Sequence, residues 1–325
     1  MLLFLLRRLA QSVLVLGVLS LLVFIGVYAI GNPLDLLIDP QASATDIAHT
    51  AALLGLDQPW WVQYQRFVLA TLHGDLGTSF QHGEPALQLI LQRFPATFEL
   101  ALVAMLLAVT LGIPLGLLAG LYADRWLGKS IMTGSILGFS LPTFWVGLLL
   151  ILGFSIELGW LPASGRGETR PWLGIEWSIL TLDGWAHLLL PACNLALFKI
   201  SLLIRLTSAG TRDALQQDHV RFARAKGLSE WRVIQRHVLK NILIPIVTVL
   251  GMEFASLLAY AVVTESIFAW PGMGKLLLDA IVSLNRPVVV AYLLLVALLY
   301  VVINLLVDLC YLVLDPRVRI SGVSR

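Results

Sequence analysis

The sequence predicts an all-α integral membrane fold with six transmembrane helices. Its composition and its long uncharged runs both predict this class. Hydrophobic residues make up 58% of the 325 positions, charged residues make up 13%, and the mean hydropathy is +0.86. A soluble fold of this length cannot bury so much apolar surface, and disordered chains have the opposite composition. The composition therefore excludes a soluble enzyme.

Six apolar runs reach the roughly 20 residues that a helix needs to cross a bilayer. Most carry no ionisable group through their centres, but the fifth contains Glu253 near its middle. The fourth is weaker because it contains Lys199 and Arg205, whose long side chains can extend to the headgroups from near a helix end. The predicted spans are residues 9–34, 98–123, 130–156, 187–206, 241–266 and 287–309.

The first run follows Arg7 and Arg8, as the apolar core of a signal peptide does. Its apolar stretch is too long for a signal peptide and no small-residue cleavage site follows it, so we expect a retained helix. Cys193 and Cys310 lie in apolar runs, a placement that predicts neither a disulfide framework nor a metal site.

The distribution of Lys and Arg sets the expected orientation. Most of these residues fall in segments on the side of the two termini, which the positive-inside rule places in the cytoplasm. Residues 35–95 then form an extracytoplasmic segment, and residues 207–240 form a cytoplasmic loop. Because no linker divides the chain, we expect residues 1–325 to form a single transmembrane domain.

The cytoplasmic loop is predicted to hold two short helices that meet at a bend. No Gly or Pro occurs from Asp213 to Lys226. Gly227 can end the first helix, and Ser229 can cap a second helix that begins at Glu230.

Two interpretations of this loop remain open from the residues alone. A basic loop can lie against anionic lipid, as in many membrane proteins. Alternatively, the loop docks a partner protein. In that case the small residues Ala223, Ala225 and Gly227 permit close approach, and Phe222 provides an anchor.

Small and acidic residues within the spans are further candidates. Gly112, Gly116 and Gly120 recur at every fourth position, a pattern typical of close helix packing within the chain or against a partner. Glu253 either lies on a translocation path or is a protonated or hydrated group without that role. Glu265, at the external end of the same span, is a candidate gate or binding-protein contact.

Several chemistries are not supported by the sequence. Gly128-Lys129-Ser130 lacks the earlier glycine of a phosphate loop, because position 123 is Ala. We find no metal-ligand spacing and no catalytic triad, so we expect no enzyme and no metal site. The basic loop lacks interleaved aromatic residues, so nucleic-acid binding is not expected.

Ten short segments, distributed over nearly the whole chain, form a recognisable series of motifs. They are residues 54–59, 63–64, 74–79, 93–100, 139–145, 158–166, 222–229, 236–241, 265–274 and 315–317. In their content and order these segments resemble the dipeptide/oligopeptide/nickel ABC importer permease family, specifically its B-type inner-membrane permease subunit. Position 221 is Arg and position 222 is Phe, where the general signature of ABC permeases has Glu and Ala.

The resemblance implies a type I importer permease fold in a bacterial inner membrane. It implies a second homologous permease, two ATP-binding subunits that hold ATP and Mg, and an extracytoplasmic substrate-binding protein. Membrane lipid surrounds the chain, which itself holds no cofactor. The implied substrates are di- or oligopeptides. Alternatives are a nickel chelate, glutathione or another small solute, and, from a different class, an ion-coupled secondary transporter.

The residues themselves predict an external loop after the fifth span that includes Pro271, Gly272 and Gly274, where the chain must turn sharply and the glycines permit the turn. The resemblance assigns a further role. The helix that docks the ATPase, called the coupling helix, comprises Arg221, Phe222, Ala223, Arg224, Ala225, Lys226 and Gly227.

Overall fold

The computed structural model describes residues 2–29 and 57–314. The chain there is mostly helical. The α-helices are α1 (Leu2–Ala29), α2 (Trp60–Leu72), α3 (Ala86–Leu121), α4 (Trp126–Ser140), α5 (Thr143–Leu150), α6 (Leu182–Gln216), α7 (Asp218–Ala225), α8 (Glu230–Val233), α9 (Lys240–Tyr260), α10 (Val262–Ile267), α11 (Met273–Val282) and α12 (Arg286–Leu314).

Short elements of other types lie between these helices. Two π-helical segments, Ile151–Glu157 and Ile234–Leu239, continue α5 and α8. The strands β1 (Arg170–Trp172) and β2 (Ile175–Trp177) pair antiparallel, and the 3-10 helix Ser178–Leu180 follows them. Some predicted features lie outside the described residues. They are the end of the first span (30–34), the first part of the extracytoplasmic segment (35–56) and the motif at 315–317.

The helices confirm the predicted fold class. Within the described residues, four helices are long and apolar enough to cross a membrane, and two bent helix pairs raise the total to six if each pair is one span. The four helices are Leu6–Gly26, Ala86–Leu121, Leu182–Gln216 and Arg286–Leu309. The bent pairs are Trp126–Ser140 with Thr143–Glu157, at 102°, and Glu230–Leu243 with Pro245–Tyr260, at 47°.

The third predicted span, residues 130–156, is not one straight helix. Leu141 has extended backbone angles (φ −83°, ψ 134°) between α4 and α5. The following Pro142 disfavours a helical conformation for Leu141 and has no N–H to donate, so the helix ends there. Hydropathy is continuous across this break, and for that reason the sequence pattern suggested a single span.

Other helices extend beyond their apolar cores. α3 begins at Ala86, before the predicted start at 98, and α6 runs from Leu182 to Gln216, past both ends of 187–206. α6 ends where Gln217 adopts an extended conformation, so the stretch from Asp213 to Lys226 contains two helices instead of one.

Contacts divide the chain into two compact units. Unit 1 comprises residues 1–92 and 277–301, and unit 2 comprises residues 93–276 and 302–325. In unit 1, α1 packs on α2, where Ser20 Oγ lies 2.9 Å from Tyr64 Oη. The expectation of a single domain stays a prediction.

Unit 2 has a core of buried residues from α3, α6 and α9, including Leu100, Leu188 and Leu257. The three predicted packing glycines lie against α6 of the same chain. A Cβ at Gly112, Gly116 or Gly120 would lie 2.6–2.7 Å from a Cβ atom of α6. Since such a contact is too short, the absence of side chains lets α3 and α6 approach closely.

Candidate functional site

The first candidate site is the α7–α8 segment, residues 217–239. α7 ends in a Schellman motif: the N–H of Gly227 donates to Arg224 O (2.9 Å) and the N–H of Leu228 donates to Ala223 O (3.4 Å). Gly227 has a φ of +77°, the left-handed conformation that glycine adopts without steric cost. The predicted helix end at Gly227 is therefore present, and it fixes the bend between α7 and α8.

The two faces of α7 differ in burial. Val220 and Ala223 are 0% and 3% exposed, and they pack in a cluster with Val233 and Val238. The prediction that Ala223 offers a small contact surface to a partner is wrong in this structure, because helical phase turns this residue into the chain's own core. Ala223 instead lets α7 approach the residues that follow it.

The outer face of α7 carries an exposed aromatic group flanked by cations. Phe222 is 62% exposed, and Lys226 Nζ lies 4.6 Å from the centre of its ring. Arg221 and Ala225 are exposed on the same segment. An exposed aromatic ring beside positive charges is a surface that can anchor on a protein with an acidic groove.

Polar contacts hold α7 to the elements that follow it. Arg224 Nε and Nη2 donate to the Glu230 carboxylate at 2.9 and 3.1 Å. Asn241 Nδ2 lies 2.9 Å from His219 Nε2 and 2.8 Å from His237 O. These contacts connect α7 with α8, the π-helical segment and the start of α9.

Ser229 does occupy the position before α8, as predicted. Its side chain makes no capping hydrogen bond within the described residues.

The second candidate site is an ion pair between α6 and α9. Lys199 Nζ donates to Glu253 Oε2 and to Ser256 Oγ, the latter at 2.7 Å. The side chains of Lys199 and Glu253 are 12% and 26% exposed. Lys199 was expected to extend to the headgroup region; the structure pairs it instead with Glu253, the acidic residue near the middle of the fifth predicted span.

Phe198, the residue before Lys199, belongs to a cluster of aromatic and cationic side chains on α4 and α6. The rings of Phe139 and Phe198 stack with centroids 4.3 Å apart. Arg205 Cζ lies 4.1 Å from the centre of the Phe139 ring. Charged side chains within a span mark ion or substrate paths more often than packing sites, because an uncompensated charge there is costly.

The third candidate site surrounds Glu265, which has no exposed surface. Its carboxylate accepts hydrogen bonds from Thr97 Oγ1 (2.6 Å) and from the N–H of Lys275 (2.9 Å). A Cβ at Gly272 would overlap this carboxylate, and one at Gly274 would lie 3.0 Å from it and 2.6 Å from Val262 Cα. The loop at 265–274 therefore wraps around a buried carboxylate.

The structure gives a different reason from the predicted one for glycine at positions 272 and 274. The sharp turn was expected to require their conformational freedom, but φ at Gly272 and Gly274 lies outside the left-handed region. Close approach to Glu265 is what excludes a side chain. Pro271 lies in this loop, next to Trp270, whose Nε1 donates to Ala96 O at 2.9 Å.

Full burial limits what Glu265 can do. Because its side chain has no exposed surface in this conformation, any effect on a gate must act through the position of the 265–274 loop.

A fourth cluster, around Glu99, was not predicted from the sequence. Glu99, also fully buried, accepts hydrogen bonds from Arg166 Nε (2.7 Å), the N–H of Ser178 (3.0 Å) and Ser178 Oγ. Arg166 Nη2 also donates to Glu176 O at 2.6 Å. One feature of the sequence could have indicated this contact. Glu99 and Arg166 carry opposite charges in two motifs, 93–100 and 158–166, that flank different predicted spans.

These features define a class of protein: an all-α, multi-span membrane protein with a short surface helix that exposes Phe222 and an ion pair between two of its long helices. The family described as binding-protein-dependent transport system inner membrane component matches residues 112–320, and its N-terminal companion family matches residues 1–101. The chain belongs to this family. It is a permease component of an ABC importer, and not itself an enzyme.

Named relatives cover almost the entire chain. A glutathione transport system permease protein GsiC of Salmonella paratyphi A (strain ATCC 9150 / SARB42) is 38% identical over 98% of this chain and 99% of the relative. A putative peptide transport system permease protein of Brucella abortus (strain 2308) is 38% identical over 97% of this chain and 98% of the relative.

The fold is also similar to a solved structure. A chain of the MetNI methionine ABC transporter, in an inward-facing conformation, superposes with a TM-score of 0.58 at 14% identity. The match covers 70% of this chain and 97% of the solved chain. At this identity the similarity shows a shared fold and no more.

Proposed function

We propose that this permease imports short peptides, a class that includes glutathione, a peptide of three residues. The observation that carries the proposal is full-length similarity to permeases named for peptide and for glutathione transport. These solutes share amide groups, an ammonium group and at least one carboxylate. A nickel chelate or another small solute is the alternative within the same transporter class.

We infer that the chain works beside a second homologous permease. Two ATP-binding subunits that hold ATP and Mg²⁺ would lie on the cytoplasmic side, and a substrate-binding protein would deliver peptide from outside. The family description names binding-protein dependence, which supports the substrate-binding protein. Membership in a family of ABC importer permeases, together with the shared fold, supports the ATP-binding subunits. Both termini would face the cytoplasm, as the concentration of Lys and Arg on that side favours.

The outer face of α7 is the proposed contact with an ATP-binding subunit. Phe222 would enter a groove on that subunit, while Arg221 and Lys226 steer the encounter. Because buried Val220 and the Arg224–Glu230 ion pair fix α7 to the following helices, a displacement of α7 would be transmitted to α9. Nucleotide binding would thus select between two positions of one rigid segment.

The pair of Lys199 and Glu253 is the proposed polar element on the translocation path. A peptide ammonium group can replace Lys199 at the Glu253 carboxylate, and a peptide carboxylate can replace Glu253 at Lys199. Since the two charges compensate each other when no peptide is present, the path would carry no uncompensated charge between transport cycles.

Competition during uptake tests the substrate proposal. Cells that lack other peptide importers would express the complete system and receive a labelled dipeptide, a labelled pentapeptide, glutathione or a nickel chelate. We expect ATP-dependent uptake of peptides that compete with one another. Nickel-chelate uptake without peptide competition would favour the alternative. Uptake that stops with a protonophore while cellular ATP is maintained would contradict the importer class.

A further inference from the structure

The break between α4 and α5 lies near the middle of the third predicted span and is exposed. Leu141, which has an extended conformation, is 39% exposed, and Ser140, Pro142 and Thr143 are exposed beside it. Lipid offers no hydrogen bonds to backbone that leaves the helix at membrane depth. Such backbone is tolerated where protein covers it or where it lines a water-filled cavity. The described residues of this chain do not cover the break, which places it at a cavity or at an interface with another subunit.

Phe139, two residues before the break, lies between an aromatic ring and a cation. The Phe198 ring stacks on it with centroids 4.3 Å apart, and Arg205 Cζ lies 4.1 Å from its centre. Two groups this close to the centre of one ring lie on its opposite faces, since on the same face they would overlap. α4 approaches α6 closely here, because a Cβ at Gly138 would lie 3.0 Å from Ser201 Oγ. This packing holds Phe139, and with it the Arg205 guanidinium, beside the break.

The guanidinium of Arg205 turns back into the span. Phe198 precedes Arg205 by seven residues, about 10 Å along the axis, on the same face of α6. Because both groups contact the Phe139 ring, the guanidinium points towards the span centre and away from the headgroups to which it was expected to extend. Arg205 is half-buried, so part of its surface is accessible.

The charge of Arg205 is not compensated within the described residues. Lys199 pairs with Glu253, whereas none of the ion pairs among the described residues includes Arg205. The Phe139 ring attracts the cation but supplies no counter-charge. A charge within a span is costly unless it meets water or a counter-ion. The two cations and one carboxylate thus carry a net positive charge, which favours an anionic group from outside the chain.

We propose that Arg205 binds a carboxylate of the transported solute, so that the permease prefers solutes with one more carboxylate than ammonium groups. This inference rests on the proposed function, in which Glu253 and Lys199 take the ammonium group and one carboxylate of a peptide. Arg205 then takes the second carboxylate through two parallel N–H···O hydrogen bonds, a geometry that suits the planar guanidinium. Glutathione and peptides with one acidic side chain belong to this class of solute.

The spacing of the cations suits a short peptide. The steps from Arg205 to Lys199 through the two stacked rings are 4.1, 4.3 and 5.6 Å. An extended chain rises by about 3.3–3.6 Å per residue. A peptide of three or four residues is therefore long enough to contact both cations at once.

Transport of two matched peptides tests the proposal. The complete transporter would be reconstituted in proteoliposomes that contain ATP and supplied with saturating binding protein, loaded with Ala-Glu-Ala or Ala-Gln-Ala. These peptides have the same length and differ by one carboxylate, and saturation removes the binding protein's own preference from the maximal rate. We expect Arg205→Gln to lower the maximal rate for Ala-Glu-Ala by about tenfold or more, because a charge-assisted hydrogen-bond pair is lost. The rate for Ala-Gln-Ala should change by less than about twofold, because it lacks that carboxylate.

Two further variants control the assay. Arg212→Gln removes an exposed arginine of the same helix and should leave both rates unchanged. Arg205→Lys keeps the positive charge and should retain part of the preference for Ala-Glu-Ala, because an ammonium group is a point charge without the paired geometry of guanidinium.

Three results would overturn the proposal. An equal loss of both rates in Arg205→Gln would assign Arg205 to packing or to a phospholipid phosphate, neither of which distinguishes the two peptides. An unchanged preference for Ala-Glu-Ala in folded Arg205→Gln would exclude the contact with the carboxylate. Uptake of neither peptide by the wild type would contradict the proposed function itself and remove the basis of this inference.

Discussion

Neutralising Glu253 should destabilise the chain, because it leaves Lys199 without its partner between α6 and α9. Breaking a buried ion pair costs about 3–5 kcal/mol, and a charge near a span centre costs about 3 kcal/mol. Lys199 and Glu253 are 12% and 26% exposed, so partial access to solvent lowers this cost. We therefore expect Glu253→Gln to cost about 2–3 kcal/mol.

A double-mutant cycle separates pairing from the individual residues. Lys199→Met alone should destabilise to a similar extent, whereas Lys199→Met combined with Glu253→Gln should recover most of the loss. Thermal unfolding of purified, detergent-solubilised protein provides the assay. A cost of about 2–3 kcal/mol corresponds to a decrease in Tm of roughly 4–10 °C by the scaling for soluble chains.

The exposed Arg224–Glu230 pair is the matched control. Its side chains are 41% and 63% exposed, so Glu230→Gln should change stability by less than about 1 kcal/mol. If Glu253→Gln unfolds at the wild-type temperature, the inferred pairing is refuted. If the stable double variant imports peptide at the wild-type rate, the pair has no role on the translocation path.

Three further variants test other parts of the structure. Phe222→Ala should leave membrane insertion intact and reduce both ATPase co-purification and peptide uptake by about thirtyfold, since hot-spot aromatics contribute about 2 kcal/mol or more. Gly272→Ala should displace the loop at 265–274 and lower the Tm by several degrees, whereas Gly134→Ala, where a Cβ meets open space, should not. Arg166→Gln should cost about 3 kcal/mol by leaving a buried carboxylate uncompensated, and Arg170→Gln, an exposed arginine, should be neutral.

Each of these three has an outcome that would count against the reasoning. Wild-type uptake by well-inserted Phe222→Ala would remove α7 from the docking surface. Unchanged unfolding temperatures for Gly272→Ala or Arg166→Gln would show that the corresponding carboxylate does not organise its surroundings.

Local features of the sequence indicated the fold class and the helix end at Gly227. Hydropathy indicated long apolar helices, since crossing lipid requires such a helix whatever its neighbours are. Gly227 was predicted to end a helix because the left-handed conformation is a property of one residue. The order of motifs along the chain was enough to indicate the importer permease family.

Residue type alone gave wrong predictions where backbone geometry or helical phase decided the structure. The third span appeared continuous because Leu141 and Pro142 are both apolar, yet Pro142 ends α4 through its backbone geometry. Ala223 was assigned to an outer face because it is small, although its helical phase relative to Val220 turns it inward.

The partners of charged and small residues were decided only by the tertiary structure. Lys199 and Glu253 are separated by 54 positions, and Thr97 and Glu265 by 168. Whether such residues meet depends on the rotation and the depth of each helix relative to its neighbour. Both are determined by the packing of many side chains at once. The sequence by itself indicated which segments are long and apolar enough to cross a membrane, whereas tertiary packing decided which charged side chains meet and are compensated.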